Sequence, residues 1–354
     1  MIGEVGFFWY TSQTFAVPVG WEPRERKGTT LKILGTGSYL PPKVVTNDDL
    51  ARSLDTSDEW IHSHTGIHSR HIAEADDCTS VMAVKAAKQA LASANVAPDE
   101  IGLIIVATST PDYCTFPATA CLVQNELGCK NAGACDLQAA CAGFIYALEQ
   151  GRCWVAAHPD RKVLVIGAET LSRIVDWTDR ATCILFGDGA GAVVVGADGD
   201  PTPHATVKLG ADGSGSEFIS RAGGARVIPA PGQVPVPFLV LQGRPVFNFA
   251  VKTMDAVVRG LCDSLGLVPS ELDRIFAHQA NGRILEAVGR RMGLPMDKFF
   301  MNIETTGNTS AASIPVALDE AVRRGELKDG DRICLVGFGA GLTFGGILTE
   351  WPKV

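Results

Sequence analysis

The 354-residue sequence has no run of ~18 uninterrupted apolar residues, which excludes a membrane-spanning helix. Positive charge is not in excess either: 31 Lys and Arg face 39 Asp and Glu, a net charge of −8. That balance argues against general affinity for nucleic acid or an anionic membrane. Charged residues make up 20% of the chain against 46% hydrophobic ones, too little charge and too much apolar material for a disordered chain. No C-x-x-C pair occurs, although ten cysteines do: Cys78, Cys114, Cys121, Cys129, Cys135, Cys141, Cys153, Cys183, Cys262 and Cys334. A chain this long needs no disulfide scaffold, so most of them read as small buried hydrophobes in a reducing compartment. The segment Met1 to Trp21 carries Glu4 instead of a basic start and has no compact apolar stretch. It does not read as a signal peptide, and a cytoplasmic location follows. The composition is that of a soluble, mildly acidic protein with room for roughly two domains or one two-lobed unit.

What is present is α/β patterning. Leu31 to Leu34, Ile101 to Thr108, Lys162 to Gly167 and Ala190 to Gly196 are short continuous apolar runs, as expected of strands buried on both faces. Between them a helix is predicted to start near Thr46-Asn47, and a long alanine-rich helix over Thr79 to Ala94, closed by Asn95 and Pro98. The alternation predicts a mainly buried sheet flanked by helices.

The second half repeats the order of the first. Leu272 to His278 mirrors Ile101 to Ala107, and Arg332 to Gly337 mirrors Lys162 to Gly167 at an offset of 170 residues. Phe299 to Ile303, before Gly307-Asn308 and the helix-like Ala311 to Arg323, parallels Ala134 to Leu137, before Cys141 and the helix-like Ala142 to Trp154. A repeat this long predicts two copies of one α/β module, residues 31–200 and 201–354, after an N-terminal extension over 1–30. Cys141 and Asn308 are then expected at equivalent strand-to-helix junctions, brought together by a pseudo-twofold.

Three residues at such junctions can carry chemistry. Cys141 sits among small neighbours at a helix start, which stabilises a thiolate; position alone leaves a buried structural cysteine equally open. His278 ends a buried strand, where open α/β sheets place their sites, and it also fits as a satisfied half-buried histidine. Asn308 alone reads as a helix cap. Together, a thiol and two neutral hydrogen-bond donors suit acyl transfer through a thioester. His62, His64, His68 and His71 cluster, but no cysteine or carboxylate stands at zinc spacing and Gly66 interrupts the helix, so no metal is expected. Gly187-Asp188-Gly189-Ala190-Gly191 lacks the spacing and the Lys-Ser/Thr of a phosphate-binding loop and leads into a strand, so tight turns explain it better. Arg283 and Arg290 share a helix face, either solvated or a dock for an acidic partner.

Several stretches, in order along the chain from about Leu31 to Trp351, resemble one family: Ile33 to Pro41 (ILGTGSYLP), Asp55 to Ile61 (DTSDEWI), Ala139 to Phe144 (AACAGF), Phe186 to Ala192, His278-Gln279-Ala280-Asn281, and Gly307 to Ser313. The chain resembles β-ketoacyl-acyl-carrier-protein synthase III, of the thiolase-like condensing enzymes. The resemblance implies a five-layered αβαβα fold, a homodimer, and condensation of a short acyl-CoA, acetyl-CoA foremost, with malonyl-ACP. It implies that Cys141 is acylated and that His278 and Asn308 assist decarboxylation. The backbone N–H groups of Cys141 and Ala340 would form the oxyanion hole. Trp60 and Arg180 match a pair that sandwiches the CoA adenine, and Thr56 and Asn281 match further CoA contacts. Phe116 matches a residue that crosses the dimer interface to bound the acyl pocket; Arg283, Arg290 and Arg291 match a patch that receives the acyl carrier protein. No metal or redox cofactor is implied. The chain departs from the pattern at His64 (usually Arg), Arg244 (Asn), Asn248 (Lys) and Ala340 (Gly), which bears on CoA and carrier binding, and residues 1–30 have no family counterpart. A relative that condenses or transfers other acyl groups in secondary metabolism is the alternative; a catalytically silent scaffold would have no need of the complete Cys141, His278 and Asn308 set.

Overall fold

A computed structural model describes residues 31–197, 205–223 and 238–352. The expectations for residues 1–30 and for a boundary at 200/201 lie outside the described residues. The apolar runs form the strands of two sheets: β1 (Lys32–Tyr39), β2 (Ile101–Ala107), β3 (Gly133–Leu137), β4 (Lys162–Glu169), β5 (Gly189–Gly196), β6 (Ala205–Ala211), β7 (Arg274–Ala277), β8 (Arg332–Gly339) and β9 (Thr343–Glu350). The first sheet runs β1-β5-β4-β2-β3 and the second β6-β9-β8-β7, the same order with one strand fewer. In the first sheet β2 pairs parallel with both β4 and β3 while β1–β5 and β5–β4 are antiparallel; in the second β7–β8 is parallel while β8–β9 and β9–β6 are antiparallel. The missing strand is the one expected over Phe299 to Ile303. Phe299 makes a single parallel bridge to Ile275, after which the N–H groups of Thr305, Thr306 and Gly307 turn back to the Asn302 and Ile303 carbonyls as a short helical turn.

Among the described residues there are seven helices of eight residues or more: α1 (Asp58–Thr65), α2 (Thr79–Ala94), α3 (Thr119–Leu127), α4 (Gly143–Ala157), α5 (Gly243–Asp263), α6 (Gly282–Met292) and α7 (Ser313–Arg323). A short helix over Asn47–Ala51 starts at the expected place, its cap Thr46 accepting from Asp49 N. Helix α2 occupies the expected span and stops where Asn95 turns left-handed at φ 51°. Alanines of α2 and residues of α3 cover the outer face of the first sheet. Helices α4 and α7 lie between the sheets, where Phe144, Ile145, Ile314 and Leu318 share one core with β2, β4, β5, β7, β8 and β9. Helices α5 and α6 close the outer face of the second sheet. The layers run α, β, α, β, α.

The two central helices enter in the same way, and this revises one expectation. Each begins with a 3₁₀ turn, Ala140–Ala142 before α4 and Ser310–Ala312 before α7. Each turn starts with a left-handed residue, Ala140 at φ 47° and Ser310 at φ 48°. At the offset of 170 residues the counterpart of Cys141 is therefore Ala311; Asn308 corresponds to Gln138, three residues earlier. The thiol and the carboxamide share a junction, not an equivalent position.

These turns meet strand β4 with no room to spare. A Cβ at Gly167 would lie 2.2 Å from the Ala311 carbonyl oxygen and 2.8 Å from its carbon. Because the obstacle is backbone, Gly167→Ala is expected to lower stability by about 3 kcal/mol or more, read as the shift in a urea unfolding midpoint.

The cysteines depart from expectation. Cys129, Cys183, Cys262 and Cys334 are buried, but Cys114, Cys121, Cys135 and Cys153 are exposed, and all ten are free thiols. Cys121 sits on α3 and Cys135 on β3, the edge strand of the first sheet, with no further strand beside it among the described residues. Among the described residues no helix is long and apolar enough to cross a membrane.

Candidate active site

A cavity of about 810 Å³ opens where the two modules meet, lined by Cys141, His278, Asn308, Ser310, Phe338 and Ala340 among others. That volume is within the range of small-molecule sites, ~300–1,000 Å³. Residues 141, 278 and 308 are far apart in sequence, and the fold delivers each from a different junction. Cys141 comes from the turn before α4, His278 from the carboxyl end of β7, and Asn308 from the segment leading into α7.

Strand β8 ends against the Cys141 turn. A Cβ at Gly339 would stand 2.6 Å from Cys141 N and 3.0 Å from Ala142 N, so only glycine lets the strand come this close. That contact brings Ala340, next in the chain, to the backbone amide of Cys141, and both residues line the cavity. The Cys141 residue is only partly buried, yet its sulfur is withdrawn from water. Burial pushes the thiol up to about 12, a hydrogen bond with the Ser310 side chain pulls it down, and the charge of Glu169 raises it further. Desolvation therefore opposes the thiolate that the helix start was expected to favour.

Burial alone pushes the His278 imidazole down to about 3, so the ring is neutral across the physiological range. Its edge meets Phe338 at 5.5 Å between centroids. Nδ1 lies 2.7 Å from Ser313 Oγ, whose hydroxyl also reaches the Ser310 carbonyl at 2.8 Å. A hydroxyl has one proton to give. With Ser313 donating to the Ser310 carbonyl, its oxygen accepts from Nδ1–H; when the hydroxyl turns to Nδ1 instead, the ring proton sits on Nε2, which is buried with no protein partner and is then free to donate to a ligand. The Asn308 carboxamide is oriented by Ser310 N donating to Oδ1 at 2.8 Å, which leaves Nδ2 a long contact of 3.4 Å to the Ala280 carbonyl. Its backbone is pinned by Asn308 N to Leu185 O at 2.8 Å and Gly187 N to Asn308 O at 3.0 Å. Beneath this loop lies Arg70, wholly buried, its guanidinium donating to Val45 O, Asn47 Oδ1 and Ile184 O.

Of the other sequence-derived residues, Thr56, Trp60, Arg180 and Phe116 fall outside the cavity lining. Arg180 rests on Trp60, Cζ 4.6 Å from the ring centroid, and donates to Asp55 O at 2.5 Å. A base between them needs about 3.5–4 Å on each side, so indole and guanidinium must part to admit one. His64 stacks on Trp60 at 4.3 Å. The Thr56 hydroxyl is buried without a partner. Asn281 lines the cavity, but its side chain also caps α6, accepting from Arg283 N at 2.7 Å. Arg244 and Asn248 are exposed on α5. Phe116 is 80% exposed and does not line the cavity of its own chain.

On α6, Arg283 and Arg290 both reach Glu286, at 3.0 and 3.7 Å. Arg291 pairs with Asp255 at 2.9 Å, a carboxylate shared with Arg259. Four guanidinium groups therefore meet two carboxylates, and the face keeps a positive surplus. Arg283 also donates through Nε to the Ser63 carbonyl at 2.7 Å, tying α6 to α1.

The histidine cluster gains a carboxylate that no local spacing supplied: Glu304, brought within 4.8 Å of His62 and His68. The two imidazoles nevertheless stack ring on ring, 3.9 Å apart and 5° from parallel. An ion in the plane of one ring lies out of the plane of the other, so the pair as arranged does not converge on a metal. Sequence reasoning missed Glu169, Ser310, Ser313 and Arg70. The only available signal was a lone ionisable residue, Glu169, ending an otherwise apolar run.

Comparisons with known proteins agree with this geometry. A family model described as 3-oxoacyl-[acyl-carrier-protein (ACP)] synthase III matches residues 135–213, and that of its C terminal matches residues 262–351. The beta-ketoacyl-[acyl-carrier-protein] synthase III of Caldanaerobacter subterraneus subsp. tengcongensis is 48% identical over 324 residues, 91% of this chain and 98% of that protein. The crystal structure of 3-oxoacyl-[acyl-carrier-protein] synthase III from Aquifex aeolicus has a TM-score of 0.84 at 45% identity, covering 91% and 100% of the two chains. The priming β-ketosynthase of the R1128 polyketide biosynthetic pathway has a TM-score of 0.86 at 38% identity, covering 95% and 99%. With five layers built from two like-ordered sheets, and identity near one half over nine-tenths of its length, the chain belongs to the β-ketoacyl-acyl-carrier-protein synthase III family of thiolase-like condensing enzymes.

Proposed function

We propose that the protein catalyses the decarboxylating Claisen condensation of a short acyl-CoA, acetyl-CoA foremost, with malonyl-ACP to give 3-oxoacyl-ACP, the step that initiates fatty-acid synthesis. The sulfur of Cys141 attacks the acyl-CoA carbonyl, and the backbone N–H groups of Cys141 and Ala340 receive the negative charge on its oxygen. CoA leaves. Malonyl-ACP then loses CO₂, and the enolate oxygen takes hydrogen bonds from His278 Nε2–H and Asn308 Nδ2–H. The carbanion attacks the acyl-cysteine, and the thiol is released with 3-oxoacyl-ACP. Loss of CO₂ drives the carbon–carbon bond, and no electron enters or leaves, so the chemistry calls for no redox cofactor or metal. The observation that carries this reading is one cavity holding a thiol, an unpartnered neutral imidazole nitrogen and an oriented carboxamide. Incubation with labelled acetyl-CoA and malonyl-ACP tests it: label on Cys141 and in 3-oxoacyl-ACP supports it, and label on neither refutes it.

The likeness to a priming ketosynthase of polyketide synthesis favours a second reading, a starter-unit condensation in secondary metabolism. Uptake of longer or aromatic acyl-CoA in place of acetyl-CoA would select it, because chain-length choice rests on pocket contacts worth only ~1–3 kcal/mol per methylene.

The CoA adenine is assigned to Trp60 and Arg180, with Thr56 and Asn281 as further contacts. The carrier protein is assigned to the α6 face of Arg283, Arg290 and Arg291, whose surplus positive charge suits an acidic partner. Arg283 also braces α1, so Arg290→Glu is the cleaner variant than Arg283→Glu. It is expected to raise the KM for malonyl-ACP on the order of tenfold, more at low salt, while sparing acylation by acyl-CoA. Equal losses in both half-reactions would count against the docking role.

A homodimer is the assembly that suits the exposed edge of β3. An edge strand without a neighbour invites pairing, the exposed Cys121 and Cys135 lie on α3 and β3, and Phe116 projects at 80% exposure. Phe116 would then bound the acyl pocket of the partner. The cytoplasm, where malonyl-ACP is made and thiols stay reduced, is the matching compartment.

A further inference from the structure

Glu169 ends strand β4 wholly buried, behind the cavity wall that Ser109 and Ser310 line. Its carboxyl group accepts from Thr110 Oγ1 at 2.6 Å, Ser109 N at 3.0 Å, Ser310 Oγ at 3.0 Å and Thr108 Oγ1 at 3.3 Å. None of these donors carries a charge. A buried carboxyl group without a cation is costly to keep, and the half-reactions above give it no role. Three of the donors belong to the segment after β2, and that segment is itself braced. Thr110 N donates to Thr108 Oγ1 at 3.0 Å and Thr170 N to Thr110 Oγ1 at 2.8 Å, so both hydroxyl protons are left for Glu169. The carboxyl group is a fixed point in the first module, and its contact with Ser310 reaches into the second.

Ser310 touches both donors of the site through its backbone. Its N–H donates to Asn308 Oδ1 at 2.8 Å. Its carbonyl accepts from Ser313 Oγ at 2.8 Å, and that oxygen lies 2.7 Å from His278 Nδ1. The peptide groups on either side of Ser310 therefore set the carboxamide and the imidazole together. Yet Ser310 stands at a left-handed φ of 48°, a conformation unfavourable for any residue with a Cβ. Its counterpart Ala140 keeps the same φ where Gly339 packs against that turn. Ser310 is secured instead by its side chain, whose hydroxyl donates to Glu169.

We propose that Glu169 is a positioning residue for the decarboxylation half-reaction: by holding the Ser310 hydroxyl it fixes the amide that orients Asn308 and the carbonyl that fixes Ser313 beside His278. The inference rests on the proposed condensing function. Glu169 stands two hydrogen bonds from Asn308 and three from His278, and it touches neither of them. No proton passes through it. Its effect is geometric, and a donor displaced by an ångström loses most of its value to an enolate. The oxyanion site for acylation is built separately, where Gly339 packs against the Cys141 amide. A change at Glu169 therefore strikes the step that uses Asn308 and His278 and spares the acylation of Cys141.

Two variants test this. Glu169→Gln keeps the shape of the side chain but replaces an accepting oxygen by an amide that donates, so the four donors can no longer all be met. Ser310→Ala removes the link and leaves the backbone amide and carbonyl; melting curves establish that each variant is folded. Decarboxylation of malonyl-ACP is measured in Cys141→Ala protein, where no sulfur can take part in holding Ser310. Each variant is expected to lower its kcat on the order of 10²-fold, with KM little changed. The double variant should be no slower than Ser310→Ala alone, because the hydroxyl is the link. With Cys141 present, acetylation by acetyl-CoA should be little changed in Glu169→Gln. A readout without substrate uses protein carrying isotopically labelled histidine. The His278 ring resonances, identified by their loss in His278→Ala, should shift in both variants. Undiminished decarboxylation in either folded variant, equal losses in the two half-reactions of Glu169→Gln, additive losses in the double variant or unmoved ring resonances would each overturn the proposal. Cys141→Ala protein that leaves malonyl-ACP intact would instead count against the condensing function, and the ring resonances would still decide the positioning role.

Discussion

Cys141→Ala is expected to abolish transfer from acyl-CoA and formation of 3-oxoacyl-ACP, a loss on the order of 10⁶-fold, the scale seen when a covalent nucleophile is removed. The other cysteines do not replace it. Cys114 also lines the cavity but does not sit at the 3₁₀ turn where Gly339 packs against the Cys141 amide, so an acyl group there would miss the proposed oxyanion hole. The substitution removes one sulfur from a residue that is only partly buried, and the melting temperature should barely move. Decarboxylation of malonyl-ACP should survive, because in the proposed mechanism it uses His278 and Asn308 and no sulfur. A measurable condensation rate in Cys141→Ala, cleared of wild-type contamination, would show that acyl transfer passes through another group.

His278→Ala is expected to have the reverse signature. Cys141 should still take label from acetyl-CoA, while decarboxylation of malonyl-ACP falls by roughly 10²–10⁴-fold, the range for a positioned acid–base or donor group. The pH dependence gives a second reading. Burial places the imidazole near 3, so it is neutral throughout, and it changes charge only when the pH falls through that value. Decarboxylation measured with Cys141→Ala protein should therefore show no inflection from this ring between about pH 5 and pH 8. An inflection near the ordinary histidine range that disappears in His278→Ala would mean that the ring works as a cation.

The sequence made the strands legible where burial on both faces left unbroken apolar runs. Ile101 to Ala107 and Lys162 to Gly167 needed nothing but their composition, and the spacing of their repeats revealed the like-ordered second sheet. Thr79 to Ala94 was legible because alanines fill one long helix and Asn95 tolerates the left-handed stop. The site was legible at Cys141, His278 and Asn308 because each falls at a junction between a strand and a helix. What resisted reading has common causes. The 3₁₀ turns at Ala140 and Ser310 depend on left-handed backbone that neither residue type announces, so the alignment of Cys141 with Asn308 was off by three positions. Phe299 to Ile303 looked like a strand because apolar residues do not reveal whether a neighbour offers paired backbone. The exposed Cys121 and Cys135 look buried in composition; an uncovered sheet edge shows only in three dimensions. For the acidity of Cys141 a helix start is visible in sequence, and the opposing desolvation is not.

The central claim is that one sulfur carries the acyl group. Wild-type protein mixed with acetyl-CoA, quenched in acid, digested and examined by mass spectrometry measures it directly. The account predicts a single acetylated peptide, the one spanning Cys141, whose acetyl group is discharged when malonyl-ACP is added before the quench. An unmodified Cys141 peptide, or an acetyl group on Cys141 that malonyl-ACP fails to remove, would contradict it.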